Sequence, residues 1–210
     1  MDSYKTVKQR SEEVFIEKRS KFIGYCFPVT KEEEALGILN ELRARHWDAT
    51  HNVYAYVLRE NGVMRYSDDG EPQGTAGMPV LDVLRKSNIT DVLVVVTRYF
   101  GGILLGGGGL VRAYSHSAAI AVKAAKIIEM KECVLNVLRV DYSRYTKAET
   151  MIIESGGVID NTEFDDAVNI EFHIEPENFP KLKKNIADLT GGKAQFTEIG
   201  ADFYGIETGE

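Results

Sequence analysis

The sequence predicts an α+β protein built from two units, and two observations support this. First, the charge is uneven along the 210 residues: residues 1–131 hold 18 Lys and Arg against 16 Asp and Glu, a net charge of +2. Residues 132–210 hold 7 against 16, a net charge of −9. Second, the acidic part contains two predicted helices among its strands, and each of these helices ends in a Gly pair. We therefore predict one domain over 1–131 and another over 132–210.

Hydrophobic periodicity predicts the first elements of the N-terminal unit. Apolar runs on both sides of a Lys-Arg-Ser-Lys turn in "EVFIEKRSKFIGYCFPV" predict a β-hairpin. Leucines at helical spacing predict a helix over "KEEEALGILNELRARH". The alternating strand "HNVYAYVLRE" returns through "VMRYS" after an Asn61-Gly62 turn, which is a strong hairpin signal.

Two helices and one strand complete this unit. A helix is expected from near Thr75 to Ser87. The strand "DVLVVVTRY" is apolar without alternation, which is typical of a strand covered on both faces. The last helix, in "LVRAYSHSAAIAVKAAK", has small residues nearly all round, so we expect it to be buried.

The C-terminal unit predicts the element order βαββαβ. The strand "CVLNVLRVDY" precedes the helix "RYTKAETMIIE", which stops at Gly156-Gly157. The strands "VIDNTEF" and "VNIEFHI" follow, and a second apolar stripe predicts a helix that ends at Gly191-Gly192. The segment "AQFTEIGADFYG" closes the unit. This order is the pattern of a ferredoxin-like sandwich.

Several classes of function lack support in the sequence. No apolar run approaches the roughly 18 residues of a membrane span, and the start lacks a signal-peptide core, so we expect a cytoplasmic protein without a membrane partner. Cys26 and Cys133 show no metal-ligand spacing. The chain contains no HExxH or GxSxG motif, and His116 is expected inside the Ala-rich helix. Enzymatic activity is therefore less favoured than binding.

The stretch "TRYFGGILLGGGGLVRAY", residues 97–114, is the first candidate site. It fits neither GxGxxG nor the phosphate-loop motif, which needs Lys where Gly107 stands. A glycine loop before a helix still presents free N–H groups to an anion, and the tyrosines could stack a base. Alternatively, the glycines serve only positive φ angles and close packing. The candidate residues are Arg98, Tyr99, Gly101, Gly102, Gly106, Gly107, Gly108, Gly109, Arg112 and Tyr114.

The stretch "SDDGEPQGTAG", residues 67–77, is the second candidate site. Asp68, Asp69 and Glu71 could hold a Mg²⁺ ion beside a phosphate, because hard cations take carboxylate oxygens. Alternatively, Asp-Gly and Glu-Pro are ordinary turn residues, and Asp69 could accept hydrogen bonds from backbone N–H groups. Apart from this Mg²⁺ ion, no cofactor is expected.

The segments "SDDGEPQGTAGMPVLDVL" and "VVVTRYFGGILLGGGGLVRAYSHSA" closely resemble the signature of the IMPACT/YigZ family, over about the first 130 residues. The resemblance implies an N-terminal fold similar to the second domain of ribosomal protein S-five-type proteins. It implies a C-terminal domain similar to domain V of elongation factor G. The chain departs at "LGGGGLVRAY", where members commonly read "LGAGGLVRAY". The signature marks Asp68, Asp69, Gly70, Glu71, Pro72, Gly74, Thr75, Gly77, Arg98, Tyr99, Phe100, Gly101, Gly102, Gly109, Arg112, Ala113 and Tyr114.

What this resemblance implies for function is a translation-associated regulatory protein that binds RNA or the ribosome through the glycine loop and its flanking arginines. Eukaryotic members regulate translation through a ribosome-associated partner, but they use an accessory domain that the match does not include. Two alternatives stay open. One is an enzyme on a phosphorylated or nucleotide substrate, with Asp68 and Asp69 placing a metal. The other is a regulator that binds protein partners, for which the acidic C-terminal domain offers a surface.

Overall fold

A computed structural model describes residues 3–207, which divide into two compact units, 4–129 and 130–206. The strands are β1 (Tyr4–Val7), β2 (Ser11–Glu17), β3 (Ser20–Pro28), β4 (His51–Val57), β5 (Met64–Ser67), β6 (Val92–Tyr99), β7 (Ile127–Val140), β8 (Val158–Phe164), β9 (Val168–Ile174) and β10 (Gln195–Glu207). The helices are α1 (Glu32–Arg45), α2 (Gly77–Lys86), α3 (Gly107–Ala124), α4 (Tyr145–Glu154) and α5 (Phe179–Thr190). The protein is therefore α+β, as predicted. The division falls inside β7, so no Pro- or Gly-rich linker marks it in the sequence.

The sheet of the N-terminal unit has the strand order β2-β3-β6-β4-β5, with the paired strands antiparallel. Both predicted hairpins are present as β2–β3 and β4–β5. The register aligns one residue from each of four neighbouring strands: Phe15, Phe22, Arg98 and His51. Because side chains alternate between the faces of a sheet, this row lies on one face and Tyr99 on the other.

Helices cover both faces of this sheet. Helices α2 and α3 pack on the face that carries Val94. Leu84 of α2 and Ala118 of α3 are among the buried residues of this core. Helix α1 packs on the opposite face through Leu39, against Val95 and its neighbours. The central strand β6 is buried along almost its whole length, so its uninterrupted apolar run is explained and the prediction of a strand covered on both faces is confirmed.

Two predictions about these helices are corrected by the structure. Helix α3 is amphipathic and not buried all round: Arg112, His116 and Lys123 are exposed along one side. The buried side includes Ala113, Ser117, Ala118 and Ala121. Helix α2 begins at Gly77, two residues later than expected.

Trp47, the single tryptophan of the chain, lies just after α1, and 84% of its surface is exposed.

The C-terminal unit has the predicted order βαββαβ, formed by β7, α4, β8, β9, α5 and β10. Its strands lie in the order β10-β7-β9-β8, which is consistent with a ferredoxin-like sandwich. Leu138, Ile152, Ile170, Leu182 and Ile186 form its core with further apolar residues. Helix α5 ends at Gly191 in the left-handed region, as the Gly pair predicts.

Two further findings bear on the sequence predictions. Cys26 and Cys133 are both free thiols and both buried. Within residues 3–207, no helix is long and apolar enough to cross a membrane.

Candidate functional site

The two signature segments meet at the carboxylate of Glu71. Its Oε1 atom accepts a hydrogen bond of 2.6 Å from Nη1 of Arg98 and one of 2.7 Å from the Tyr114 hydroxyl. Nε2 of His51 lies 3.8 Å from the same oxygen. The Arg98 and Glu71 side chains are 6% and 4% exposed. The segments around residues 71, 98 and 114 are therefore held together by one buried ion pair and its hydrogen bonds.

Tyr114 belongs to the interior of this network. It is fully buried, and burial, followed by its hydrogen bond to Glu71, raises the pKa of its phenol far above the usual value. The ring meets Phe22 edge-on at 5.3 Å between centroids. The phenol therefore stays neutral and donates a hydrogen bond to the carboxylate. Tyr114 cannot stack on a ligand, so this part of the sequence prediction is wrong.

Two further predicted ligand groups, Arg98 and Tyr99, do not present their polar atoms on the surface of the glycine loop. Arg98 is only 5% exposed, and the centre of its guanidinium lies 5.4 and 5.5 Å from the ring centroids of Phe22 and Phe100. The Tyr99 hydroxyl contacts Nδ1 of His46 at 2.8 Å on the α1 face of the sheet. Burial explains the first case and strand alternation the second.

Asp68 and Asp69 are occupied by backbone N–H groups. The Asp68 carboxylate accepts hydrogen bonds from the amides of Gly74, Ala76 and Gly77, and so caps the start of α2. The Asp69 carboxylate accepts one from the amide of Asn52, and Asp69 itself has a positive φ of 44°. These contacts correspond to the turn interpretation of the stretch.

The Mg²⁺ expectation has no supporting cluster in the geometry. Among residues 3–207, no group of three or more His, Cys, Asp or Glu side chains is arranged to hold a metal ion. The third carboxylate of the predicted site, Glu71, is already paired with Arg98. Thr75, on the same loop, donates its hydroxyl to the Pro72 carbonyl at 2.6 Å.

The glycines of the loop serve different purposes. A Cβ on Gly101 would collide with the backbone of Arg19 and Ser20, so only glycine allows the loop to pass this close to the β2–β3 turn. Gly102 and Gly106 have φ angles of 82° and 73°, which favour glycine. In contrast, a Cβ on Gly107 or Gly108 would meet nothing closer than 3.8 Å. A Cβ on Gly109 would lie 2.9 Å from the Cβ of Leu105. Close packing thus accounts for Gly101 and Gly109, but not for Gly107 and Gly108.

The first turn of α3 is exposed and lacks a side-chain cap. Gly106, Gly107 and Gly108 are exposed, and Gly109 is partly exposed. The turn contains no acidic residue, and no described residue accepts a hydrogen bond from the amides of residues 107–109. Arg112 is exposed on the following turn. This end of α3 therefore combines free N–H donors, the positive end of a helix dipole and one guanidinium.

A groove of about 530 Å³ continues from this turn along α3. Phe15 and His116 pack together on one side, with ring centroids 4.5 Å apart. Phe100 and Leu104 on the loop are also exposed, at 46% and 83%. Phe15 and His116 are not among the residues predicted for the site, although Arg112 and His116 lie four positions apart on one face of α3. The groove is lined by Phe15, Glu17, Lys18, Leu105, Gly109, Val111, Arg112, Ala113, Ser115 and His116.

Comparison with known protein families gives two matches in the chain. Residues 18–122 match the model of the Impact N-terminal domain, and residues 138–193 match a domain of unknown function, DUF1949. Both candidate stretches lie inside the first match.

Individual relatives extend the similarity over most of the chain. IMPACT family member YvyE of Bacillus subtilis is 37% identical over 199 residues, which cover 94% of this chain and 92% of that protein. IMPACT family member YigZ of Escherichia coli is 31% identical and covers 87% of this chain and 91% of its own length. The Dictyostelium discoideum protein IMPACT homolog is 44% identical over 105 residues, but these cover 48% of this chain and 29% of the homolog.

A solved structure described as the crystal structure of a hypothetical protein is also similar. It superimposes with a TM-score of 0.60 at 30% sequence identity, covering 95% of this chain and 98% of the other.

Proposed function

This chain belongs to the IMPACT family, and from that premise we propose that it acts in the regulation of translation by binding RNA, free or in the ribosome, through the start of α3. The binding surface consists of the amides of Gly107, Gly108 and Gly109 with the guanidinium of Arg112. Arg98, Glu71 and Tyr114 hold the loop in place from below and do not contact the ligand. The proposal therefore keeps the predicted loop but divides its residues into binding and supporting sets.

The observation that carries this proposal is the uncapped first turn of α3. A helix start with free N–H groups attracts anions through hydrogen bonds and through its dipole. At the start of α2 the Asp68 carboxylate accepts hydrogen bonds from the amides of Ala76 and Gly77. At α3 three successive exposed glycines leave room for a phosphate to approach the backbone instead.

The distribution of charge supports binding on the N-terminal unit. Residues 1–131 carry a net charge of +2, and residues 132–210 carry −9. A polyanion is repelled by the acidic unit, so the contact falls on the N-terminal unit and its affinity depends on salt. We propose that the acidic unit in turn meets a protein partner.

The test measures binding of a fluorescein-labelled single-stranded RNA and of purified ribosomes across a salt series. Arg112→Ala removes the guanidinium and is expected to reduce the slope of log affinity against log salt by about 0.7–0.9, the contribution of one phosphate contact. Gly108→Asp places a carboxylate in the first turn, where it favours the helix but repels phosphate. We expect this variant to stay folded and to lose binding.

Two matched controls separate local chemistry from general charge and packing. Gly108→Asn adds a side chain of similar size without charge and should bind more tightly than Gly108→Asp. Lys123→Ala removes one exposed positive charge from the same helix, about 16 Å along the helix axis from Arg112. Equal loss of binding in Lys123→Ala and Arg112→Ala, or no binding by the wild type at low salt, would contradict the proposal. The search would then turn to a small phosphorylated ligand or a protein partner.

A further inference from the structure

We infer that the groove beside α3 receives one unpaired base of the bound strand, so that the protein selects single-stranded RNA over duplex. This inference rests on the proposed function, since the phosphate of the same nucleotide would lie at the first turn of α3. The shape, lining and charge of the groove each support it.

The groove has a floor of small residues between two walls. Gly109, Arg112, Ala113 and His116 fall at helical positions i, i+3, i+4 and i+7, so they form one stripe of α3. The glycine and the alanine leave the space open, and Arg112 and His116 stand beside it. The opposite wall comes from the β2–β3 hairpin. The volume of about 530 Å³ lies within the range of small-ligand sites.

One end of the groove is aromatic. The His116 ring lies 4.5 Å from that of Phe15 at an interplanar angle of 57°, and Phe15 in turn packs against Phe22 at 6.2 Å. Phe15 is therefore fixed by the core, whereas His116 is exposed at the rim. Every base has a π-face, so an unpaired base can stack on this surface whatever the sequence of the strand.

The other end of the groove is suited to phosphate. Gly109 lies in the first turn of α3, about 10 Å along the helix axis from His116. Lys18 and Arg112 also line the groove, against the single acid Glu17. The groove therefore suits a ligand with an anionic group at one end and a flat ring at the other, as in a nucleotide. In a duplex the base is stacked and paired inside the helix, so it does not enter.

The test compares a fluorescein-labelled oligoadenylate with the same strand annealed to oligouridylate, using the full chain at low salt. We expect the wild type to prefer the single strand about 5- to 100-fold, the order of magnitude of stacking one base. His116→Ala should lose this preference. His116→Phe should keep it, because the aromatic wall remains while the imidazole is gone, and it also answers the objection that His116→Ala only loosens Phe15.

Trp47→Ala is the matched control, because Trp47 is a more exposed aromatic residue at the end of α1 and lies outside the groove. Equal binding of single strand and duplex by the wild type, or a preference lost in Trp47→Ala and kept in His116→Ala, would overturn the inference. If AMP saturates the groove and RNA does not compete with it, the ligand is a free nucleotide and the inference is overturned as well.

Failure of the inference can be distinguished from failure of the proposed function. If Arg112→Ala and Gly108→Asp still weaken binding while strand form makes no difference, the phosphate site stands and the base site does not. If those two variants bind like the wild type, both fail together.

Discussion

Nη1 of Arg98 lies 2.6 Å from Oε1 of Glu71, and both side chains are almost completely buried. The two residues are 27 positions apart and belong to the two segments that the family resemblance marks. A buried pair of this kind fixes geometry, because either charge without the other would be strongly disfavoured. The signature therefore includes residues that shape the glycine loop as well as residues that can touch a ligand.

Arg98→Ala is expected to destabilise the protein by about 3–5 kcal/mol, because it leaves the Glu71 carboxylate buried without its cation. The measurement is urea unfolding of the full chain, followed by far-UV circular dichroism. Arg85→Ala removes a half-exposed surface partner of Asp82 and should change stability by less than about 1 kcal/mol. If Arg98→Ala unfolds at the wild-type urea concentration but loses RNA binding, Arg98 contacts the ligand directly and its supporting role is wrong.

Asp68→Ala is expected to destabilise the protein by about 1–2 kcal/mol or more, since three backbone amides lose their acceptor at the start of α2. Thermal unfolding measures this change. Asp82→Ala, on the exposed side of α2, serves as the control and should have little effect. If Asp68 instead served only to bind a metal ion, Asp68→Ala and the wild type would be equally stable in the presence of EDTA.

Gly101→Ala and Gly37→Ala are expected to change stability in opposite directions. A Cβ on Gly101 would collide with the backbone of Arg19 and Ser20, which cannot move without opening the β2–β3 turn. A Cβ on Gly37 meets nothing within 4 Å and lies in α1, so alanine should stabilise by about 0.5–1 kcal/mol. Chemical denaturation of both variants tests the pair. A tolerated Gly101→Ala would show that the loop does not need this close approach.

His46 is expected to make stability depend on pH. Burial, followed by the positive charge of Arg45, lowers the pKa of His46 below its ordinary 6.5. Nε2 contacts the Tyr25 hydroxyl and Nδ1 the Tyr99 hydroxyl, each at 2.8 Å, so a neutral ring can accept one hydrogen bond and donate the other. The unfolded chain thus binds a proton more readily than the folded one.

The free energy of unfolding therefore decreases as the pH falls from about 7, through the ordinary His pKa, to the lower pKa that His46 has in the folded protein. Below that lower pKa, His46 causes no further loss of stability. His46→Gln should flatten that part of the profile relative to the wild type, whatever it costs in absolute stability. The measurement is the free energy of unfolding at several pH values between about 7.5 and 5.5. Parallel profiles for the two proteins would contradict the prediction.

The two cysteines are expected to be unreactive in the folded protein. Burial raises the pKa of Cys26 to about 12, and burial together with Glu175 raises the pKa of Cys133. The thiolate is the reactive form, so little of either is present at pH 8. Titration with a chromogenic disulfide reagent should detect almost no thiol in native protein and two per chain in denaturant. Immediate reaction of the native protein would show that one of these strands opens readily.

The pattern of apolar, turn and glycine residues was sufficient to predict most of the fold. The unbroken apolar run of β6, the turn residues of the two hairpins and the Gly pairs of the βαββαβ unit are each recognisable in the sequence. The glycines of residues 101–109 likewise located the loop. The orientation of individual side chains was harder to predict from the sequence. Strand alternation indicates that Arg98 and Tyr99 lie on opposite faces of the sheet, but it does not indicate on which face the loop lies. The pairing of Phe15 with His116 joins segments about 100 residues apart, and it depends on how α3 lies against β2, which no local pattern encodes.

The position of β6 between β3 and β4 has a consequence for how the chain emerges during synthesis. Two hairpins leave the ribosome first, each with an unpaired edge, and the strand that joins them follows later. Glu71 emerges 27 residues ahead of Arg98 and 43 ahead of Tyr114, so its carboxylate lacks the first partner until β6 has been made and the second until α3 has been made. A nascent chain stalled before α3 should therefore stay sensitive to protease and available to chaperones, and the N-terminal unit should close in a single late step.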